Sequence, residues 1–343
     1  MATQAGLDLV EISPEVMEAD QFFRNVNYAP LDDPRLRLHI EDARTFLYRN
    51  RERYDLIISE PSNPWIAGIG SLYTSEFFAL CRERLADDGL MVQWFHLYEM
   101  DDEMFRLVLR TFQSAFPHVT IWSPLATDVI LVGSDREVAP NDERLTSLWT
   151  DAAVRDDFRR LGIRHPGTIY SLQVMNSAQV RRYADDGPLN TEDLPRLEYG
   201  APRAFFVNRG VKGVERFDQR LHREGSPLPL AIRWREAGIS DEELSDAARW
   251  HESPVRGTPA LAYQFLAELH RRKPADVDII DRFADVAVRV GDIDQSIRLL
   301  RRRVELTPRN PNALEALAWR LFDAGQRNAT SFASTSPDEP ERL

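Results

Sequence analysis

Three carboxylates stand just beyond short apolar runs: Glu11 ends LDLVEI (Leu7–Ile12), Asp42 follows Leu36–Ile40, and Glu60 follows YDLIIS (Tyr54–Ser59). Each run reads as a β-strand, and in a doubly wound sheet ligands bind beyond the carboxyl ends of the strands. Glu11 could accept hydrogen bonds from both hydroxyls of a ribose, and it equally fits a solvated strand end. Asp42 could accept from an adenine amino group while the next backbone N–H, that of Ala43, bonds the ring. The same aspartate would serve as well as the N-cap of a helix beginning at Ala43. Glu60 opens the loop SEPSNPW. Partial burial there would favour its protonated form and suit it to take a proton. The alternative is a plain turn in which Asn63 and Pro64 end the strand.

The elements needed to hold these groups follow one another in order. Pro14–Phe23 is expected to be a helix capped by Ser13 with proline in its first turn. Ala43–Arg49 is a second helix, and Tyr54–Ser59 is apolar on both faces, as a parallel strand should be. Ser75–Leu85 is expected to be a helix that stops near Gly89, Leu90–Phe95 (LMVQWF) a fourth strand, and Asp102–Ala115 a long helix. Val119–Trp122 and Val129–Gly133 read as a closing antiparallel pair. Alternating strands and helices predict an α/β doubly wound sheet.

The chain has 343 residues, of which 43% are hydrophobic and 29% charged, so it can bury sizeable cores over two or three domains. A net charge of −12 argues against a general nucleic-acid binder. It is compatible with a cationic ligand, and equally with mere solubility. The single cysteine, Cys81, excludes an intrachain disulfide and a cysteine-based zinc site. No apolar run reaches the roughly 18 residues of a membrane span and no signal peptide is visible, so the chain is expected to be soluble and intracellular.

From about 140 the strand signal gives way to helical patterns, with an extended, proline-rich segment expected around Pro188–Arg203. Further on, Gly257, Gly291 and Gly325 recur every 34 residues, as do Pro274 and Pro308. Small residues (Ala262, Ser296) and large ones (Leu266, Leu300) keep the same register. This pattern resembles tetratricopeptide repeats, helix pairs that bury their apolar faces against neighbours. The expected organisation is 1–138 for the sheet domain, 139–240 for a helical extension, 241–327 for the repeats and 328–343 for a disordered tail.

Taken together, VEIS (10–13), EDAR (41–44), YDLIISEPSNP (54–64), GSLYTSEFF (70–78) and GLMVQW (89–94) resemble the spermidine and spermine synthases, the polyamine aminopropyltransferases, over about residues 7–134. The resemblance implies an incomplete Rossmann-like, class I methyltransferase-type sheet followed by the helical region. It implies decarboxylated S-adenosylmethionine as cosubstrate, bound through Glu11, Asp42 and Ala43, and no metal. It implies attack of a polyamine or other amine on the carbon beside the sulfonium, with Glu60 accepting the amine proton. Asn63, Tyr73 and Gln93 fall at positions that imply contact with the amine substrate. The family commonly forms dimers, although its usual N-terminal β-domain is not visible.

The sequence also departs from the family pattern. The strand and glycine-rich loop that should precede VEIS are missing, so the sheet is expected to be strained or to need a partner, and this chain to be inactive or a piece of a longer protein. Asn63 stands where the family has a second aspartate, which removes a charge from the amine site. LNTEDLPRLEYGAPR (Leu189–Arg203) resembles a segment of large bacterial spermidine synthase-like proteins, in which a membrane region often precedes this domain. The chain would then be the cytoplasmic part of an inner-membrane protein, with Asn190, Glu192, Asp193 and Glu198 either lining the pocket or forming a capped structural segment. Two other readings remain open: an S-adenosylmethionine-dependent class I methyltransferase, and a non-catalytic interaction protein whose repeats bind a protein partner.

Overall fold

A computed structural model of the chain describes residues 6–139, 141–207, 210–211, 229–236 and 238–333. The chain divides into two compact units, Met1–Thr120 with Ile130–Val138 and Ser177–Val211, and the remainder.

The first unit opens with β1 (Leu7–Glu11), α1 (Pro14–Ala19), α2 (Arg24–Asn27), β2 (Leu36–Ile40), α3 (Ala43–Arg49) and β3 (Tyr54–Ser59). It continues with α4 (Ser75–Arg84), β4 (Leu85–His96) and α5 (Asp102–Ala115); β5 (His118–Leu125) and β6 (Asp128–Ser134) come next in the chain, Ile121–Val129 of them counting with the second unit. Ser13 does precede α1, but its hydroxyl bonds Glu15 at 2.6 Å and caps no backbone N–H. The helix is short and passes at Asp20 into a 3₁₀ turn. Asp42, Thr74 and Asp101 do cap α3, α4 and α5 with their side chains.

β4 is longer than its apolar run because it starts at Leu85 and bulges between its pairings Tyr54↔Leu85 and Leu56↔Leu90. Asp88 takes a left-handed φ of 66° in that bulge. The core beneath β4 is aromatic: Phe78, Phe95, Phe105, Phe112 and Phe116 are fully buried around α5. Cys81 lies in the same core, where burial pushes its thiol pKa up.

The strands form two sheets. One is the parallel pair β1–β2; the other has the order β3-β4-β6-β5-β7, where β7 is Gln173–Met175. Among the described residues, β1 and β3 are therefore each hydrogen-bonded to a strand on one side only. Strand β7 lies within a stretch expected to be wholly helical. It is three residues long and pairs antiparallel with β5, at Ile121↔Met175 and Trp122↔Gln173.

In the chain, α6 (Asp142–Thr150) and α7 (Ala152–Leu161) precede β7 and α8 (Ser177–Ala184) follows it. The proline-rich segment is less extended than expected, because α9 (Arg196–Phe206) takes over at Arg196 and carries Pro202 inside it. Then come α10 (Pro229–Glu236), α11 (Asp241–Glu252), α12 (Pro259–Arg272), α13 (Val277–Arg289), α14 (Ile293–Leu306) and α15 (Pro311–Ala333). α12 and α14 start and end 34 residues apart. Gly291 supplies the left-handed turn between α13 and α14 with φ +87°. Gly325 instead lies inside α15, which runs past both it and residue 328 to Ala333. Residues 334–343 of the expected tail lie outside the described residues. Successive helices pack on a shared core that includes Leu244, Leu266, Phe265, Ile280, Phe283 and Leu300. Among the described residues no helix is long and apolar enough to cross a membrane.

His251 is fully buried in this second unit, its Nε2 2.9 Å from Ser171 Oγ, and its Nδ1 accepts the Thr258 N–H at 3.3 Å. Burial lowers its pKa from 6.5 to about 3. The folded state thus disfavours the protonated ring, so this stability is complete above pH 6.5 and drains as pH falls toward 3. The slope is at most about 1.4 kcal/mol per pH unit for one proton. Thermal unfolding followed between pH 7 and 4 should show this decline, and a His251→Gln variant should show a shallower one.

Candidate functional site

Glu11 ends β1, Asp42 stands two residues beyond β2 and Glu60 one residue beyond β3, all parallel strands, as the sequence predicts. Glu11 is the last residue of β1 and half-buried, and its Oε1 accepts the Ser13 N–H at 2.8 Å, which fixes the carboxylate over the strand end. Asp42 acts as the helix cap: its Oδ1 accepts from Thr45 N–H at 2.9 Å and from Thr45 Oγ1 at 3.0 Å. Ala43 opens α3 beside it.

Glu60 departs from expectation, because it is exposed and not partly buried. The reason lies in its strand. β3 has no neighbour on one side, so Leu56 is 48% and Ile58 65% exposed immediately before it. Asn63 is better held: its Nδ2 donates to Tyr98 Oη at 3.2 Å.

Tyr73 and Gln93 are both fully buried. Tyr73 is wholly buried, its hydroxyl donates to the Trp94 carbonyl at 3.1 Å, and burial pushes its pKa up. It anchors the loop after Glu60 to β4. Gln93 pairs in register with Ser59, next to Glu60, and is also fully buried. Its Nε2 donates to the Trp94 carbonyl at 3.0 Å, while its Oε1 has no hydrogen-bond partner among the described residues. That leaves Gln93 one acceptor for a group entering beside the β3–β4 ends.

The loop from Pro61 to Tyr73 is clamped from far along the chain. The fully buried Asn190 donates from Nδ2 to the carbonyls of Gly70, at 3.3 Å, and Tyr73, at 3.0 Å, and its Oδ1 accepts the Leu197 N–H at 3.0 Å. The Ser75 N–H donates to the Asn190 carbonyl at 2.9 Å. The carboxylate of Glu198 accepts the N–H groups of Gly68 at 2.7 Å and Gly70 at 3.2 Å. A Cβ on Gly70 would displace the Glu198 carboxylate, 2.6 Å away, and crowd the Glu198 backbone N at 3.2 Å, so glycine suits this close approach. Glu192 pairs with Arg44 at the start of α3. The segment around residues 190–198 therefore shapes the site by holding its loop, which is the structural one of the two roles the sequence left open.

Sequence reasoning missed a ring cluster on the other face of β4. Trp94, His96 and Tyr98 alternate along the strand end, and Trp65 packs on His96 at 4.5 Å, with Phe205 5.0 Å from Trp65. His96 is buried with neither ring nitrogen bonded among the described residues, and burial lowers its pKa to about 4, so it is neutral near pH 7. The every-second-residue spacing of Trp94, His96 and Tyr98 was the available signal. Among the described residues no group of three or more His, Cys, Asp or Glu side chains is arranged to hold a metal ion.

The first part of the chain is similar to known proteins. The spermine/spermidine synthase domain model matches residues 3–127. The polyamine aminopropyltransferase of Lachnoclostridium phytofermentans is 27% identical over 121 residues, covering 35% of this chain and 41% of that protein. That of Clostridium perfringens strain 13 is 36% identical over 86 residues, covering 25% of this chain and 30% of its own length. The chain thus spans less than half the length of these curated relatives. Among solved structures, a probable spermidine synthase from Corynebacterium glutamicum aligns with a TM-score of 0.37 at 22% identity, covering 54% of this chain and 63% of that one.

Replacing Asn190 with alanine leaves two buried carbonyls and one N–H without partners. Each such group costs about 1–3 kcal/mol, so urea denaturation should show a loss of at least ~2 kcal/mol. Proteolysis should then cut first between Ile66 and Tyr73.

Proposed function

We infer from the spermine/spermidine synthase domain at residues 3–127 that this chain carries the nucleoside- and amine-binding half of an aminopropyltransferase. What supports the reading is the order of Glu11, Asp42 and Glu60 after or at the ends of β1, β2 and β3, the order in which the family motifs resembled here place their carboxylates. Decarboxylated S-adenosylmethionine is the proposed cosubstrate. The donor set suits its nucleoside: one half-buried carboxylate for the ribose hydroxyls, and a second beside a helix-start N–H for the adenine edge.

In the reaction, the amine nitrogen bonds the methylene carbon next to the sulfonium. The C–S bond breaks with its electron pair going to sulfur, and methylthioadenosine leaves. The sulfonium is already a good leaving group, so the protein's task is to place the amine in line and take its proton. Glu60, exposed one residue beyond β3, would accept that proton. Gln93 Oε1 offers the approaching amine a buried acceptor. Asn63 supplies a polar but uncharged contact, which favours an amine whose distal end needs less charge compensation than a long polyamine.

The proposal extends to the cell. The chain would act in the cytoplasm, either by itself or as the cytoplasmic part of a membrane-attached parent. The helix pairs from Asp241 onward would be tetratricopeptide-like and available to a protein partner. A homodimer is a further expectation from the family.

Isothermal calorimetry tests the reading. Decarboxylated S-adenosylmethionine and methylthioadenosine should bind, and Glu11→Ala and Asp42→Ala should each weaken binding at least about ten-fold, the loss expected when a charge-assisted hydrogen bond is removed. Glu60→Gln should leave binding unchanged and abolish aminopropyl transfer. Tighter binding of S-adenosylmethionine itself, with methyl transfer, would replace this reading with a methyltransferase.

A further inference from the structure

His96 is wholly buried, and neither of its ring nitrogens has a hydrogen-bond partner among the described residues. A neutral imidazole carries one donor and one acceptor, whichever tautomer it adopts. Burying both without partners costs free energy. The packing around it does not call for an imidazole, because its neighbours are rings. Centroid distances are 4.5 Å to Trp65, 4.8 Å to Tyr98, 5.1 Å to Phe95 and 5.6 Å to Trp94. A phenylalanine would fill the same space without the unpaired polar atoms. A buried polar group left unpaired in this way calls for an explanation.

The surrounding rings are held in place from two directions. Trp65 sits in the loop that Glu60 opens and that Asn190 and Glu198 clamp. Helix α9 carries Glu198 and also Phe205, whose ring lies 5.0 Å from Trp65. Tyr98 is fixed through its backbone: it bridges antiparallel to Gly210, and the Leu97 carbonyl accepts the Val211 N–H at 2.9 Å. The cluster meets solvent at Tyr98, 38% exposed, and at Phe205, 36% exposed. Trp65 and Tyr98 are 6.0 Å apart, and the Asn63 amide joins the loop to the Tyr98 phenol on that side. These groups are all uncharged: an amide, a phenol, indoles, and an imidazole that burial keeps neutral near pH 7. An ammonium among them would lose its water and meet no carboxylate of the cluster. Cation–π attraction would offset part of that loss. An aromatic ring would lose little and gain ring contacts.

We propose that Trp65, His96 and Tyr98 form a subsite for the far end of the acceptor amine, and that this acceptor is an arylalkylamine bearing a phenolic hydroxyl. Its ring passes between Trp65 and Tyr98, and its hydroxyl gives an imidazole nitrogen of His96 the hydrogen bond it lacks. Its amino end then lies toward Glu60, five residues before Trp65 in the same loop. That the ligand is an acceptor amine rests on the function proposed above; the preference for a phenol rests on His96.

Calorimetry on the full chain tests this with tyramine, phenethylamine and 1,4-diaminobutane, each with and without methylthioadenosine. Tyramine should bind at least about ten-fold more tightly than phenethylamine, because the hydroxyl pairs a buried group that the analogue leaves unpaired. It should also bind more tightly than the diamine. His96→Phe should make the two arylalkylamines equal and should raise the thermal midpoint, a combination that a purely structural histidine would not give. His96→Leu repeats the comparison should the larger ring overpack the site. Trp65→Ala should weaken both arylalkylamines. Equal binding of tyramine and phenethylamine, a preference that survives in both His96 variants, tighter binding of the diamine, or no binding of tyramine to the folded chain would each overturn the proposal. Aminopropyl transfer to the diamine without tyramine binding would overturn the subsite and leave the proposed function standing. Selective tyramine binding without transfer to any amine would uphold the subsite and overturn the proposed function.

Discussion

Everything in the sheet domain depends on the hydrogen-bonding demand of two strand edges. Backbone N–H and C=O groups taken from water must be paired, and in a parallel sheet that pairing comes from neighbours on both sides. Among the described residues β1 and β3 have one strand neighbour each, and side chains link their starts: Tyr54 on Asp8, with Arg37 and His39 behind. The exposure of Glu60, and of Leu56 and Ile58 before it, follows directly from this.

The other half of the site is built by reach along the chain rather than along the sheet. The loop after Glu60 has little regular structure, yet Asn190 and Glu198 satisfy its carbonyls and N–H groups one by one. Tyr73 fastens the same loop from beneath, to the Trp94 carbonyl. A buried side chain that makes three hydrogen bonds fixes a loop more firmly than apolar packing alone, since each lost partner strands a buried polar group. The two elements that flank the site are thus unequal. The β3–β4 side is well anchored, and the β1–β2 side is held mainly at its beginning.

Much of this was legible in the sequence where local chemistry decides. Asp42 could be placed as a cap because a carboxylate before an amphipathic run satisfies the first N–H groups wherever it occurs. β3 could be placed because YDLIIS is apolar at successive positions. β7 could not, since three residues carry no period. The burial of Tyr73 was hidden because spacing does not reveal which way a side chain turns. The work of Asn190 and Glu198 was hidden because their partners lie more than a hundred residues earlier. Ser13 had the right residue type for a cap, but Glu15 competes for its hydroxyl. The exposure of Glu60 depends on a missing neighbour, which no local pattern around residue 60 encodes.

The most direct test of the account is a crystal structure of the chain soaked with methylthioadenosine. The account predicts the ribose hydroxyls on the carboxylate of Glu11 and the adenine edge against Asp42 and the Ala43 N–H, with Glu60 facing the sulfur side. A nucleoside stacked instead on Trp65 and Tyr98, with Glu11 and Asp42 untouched, would contradict it.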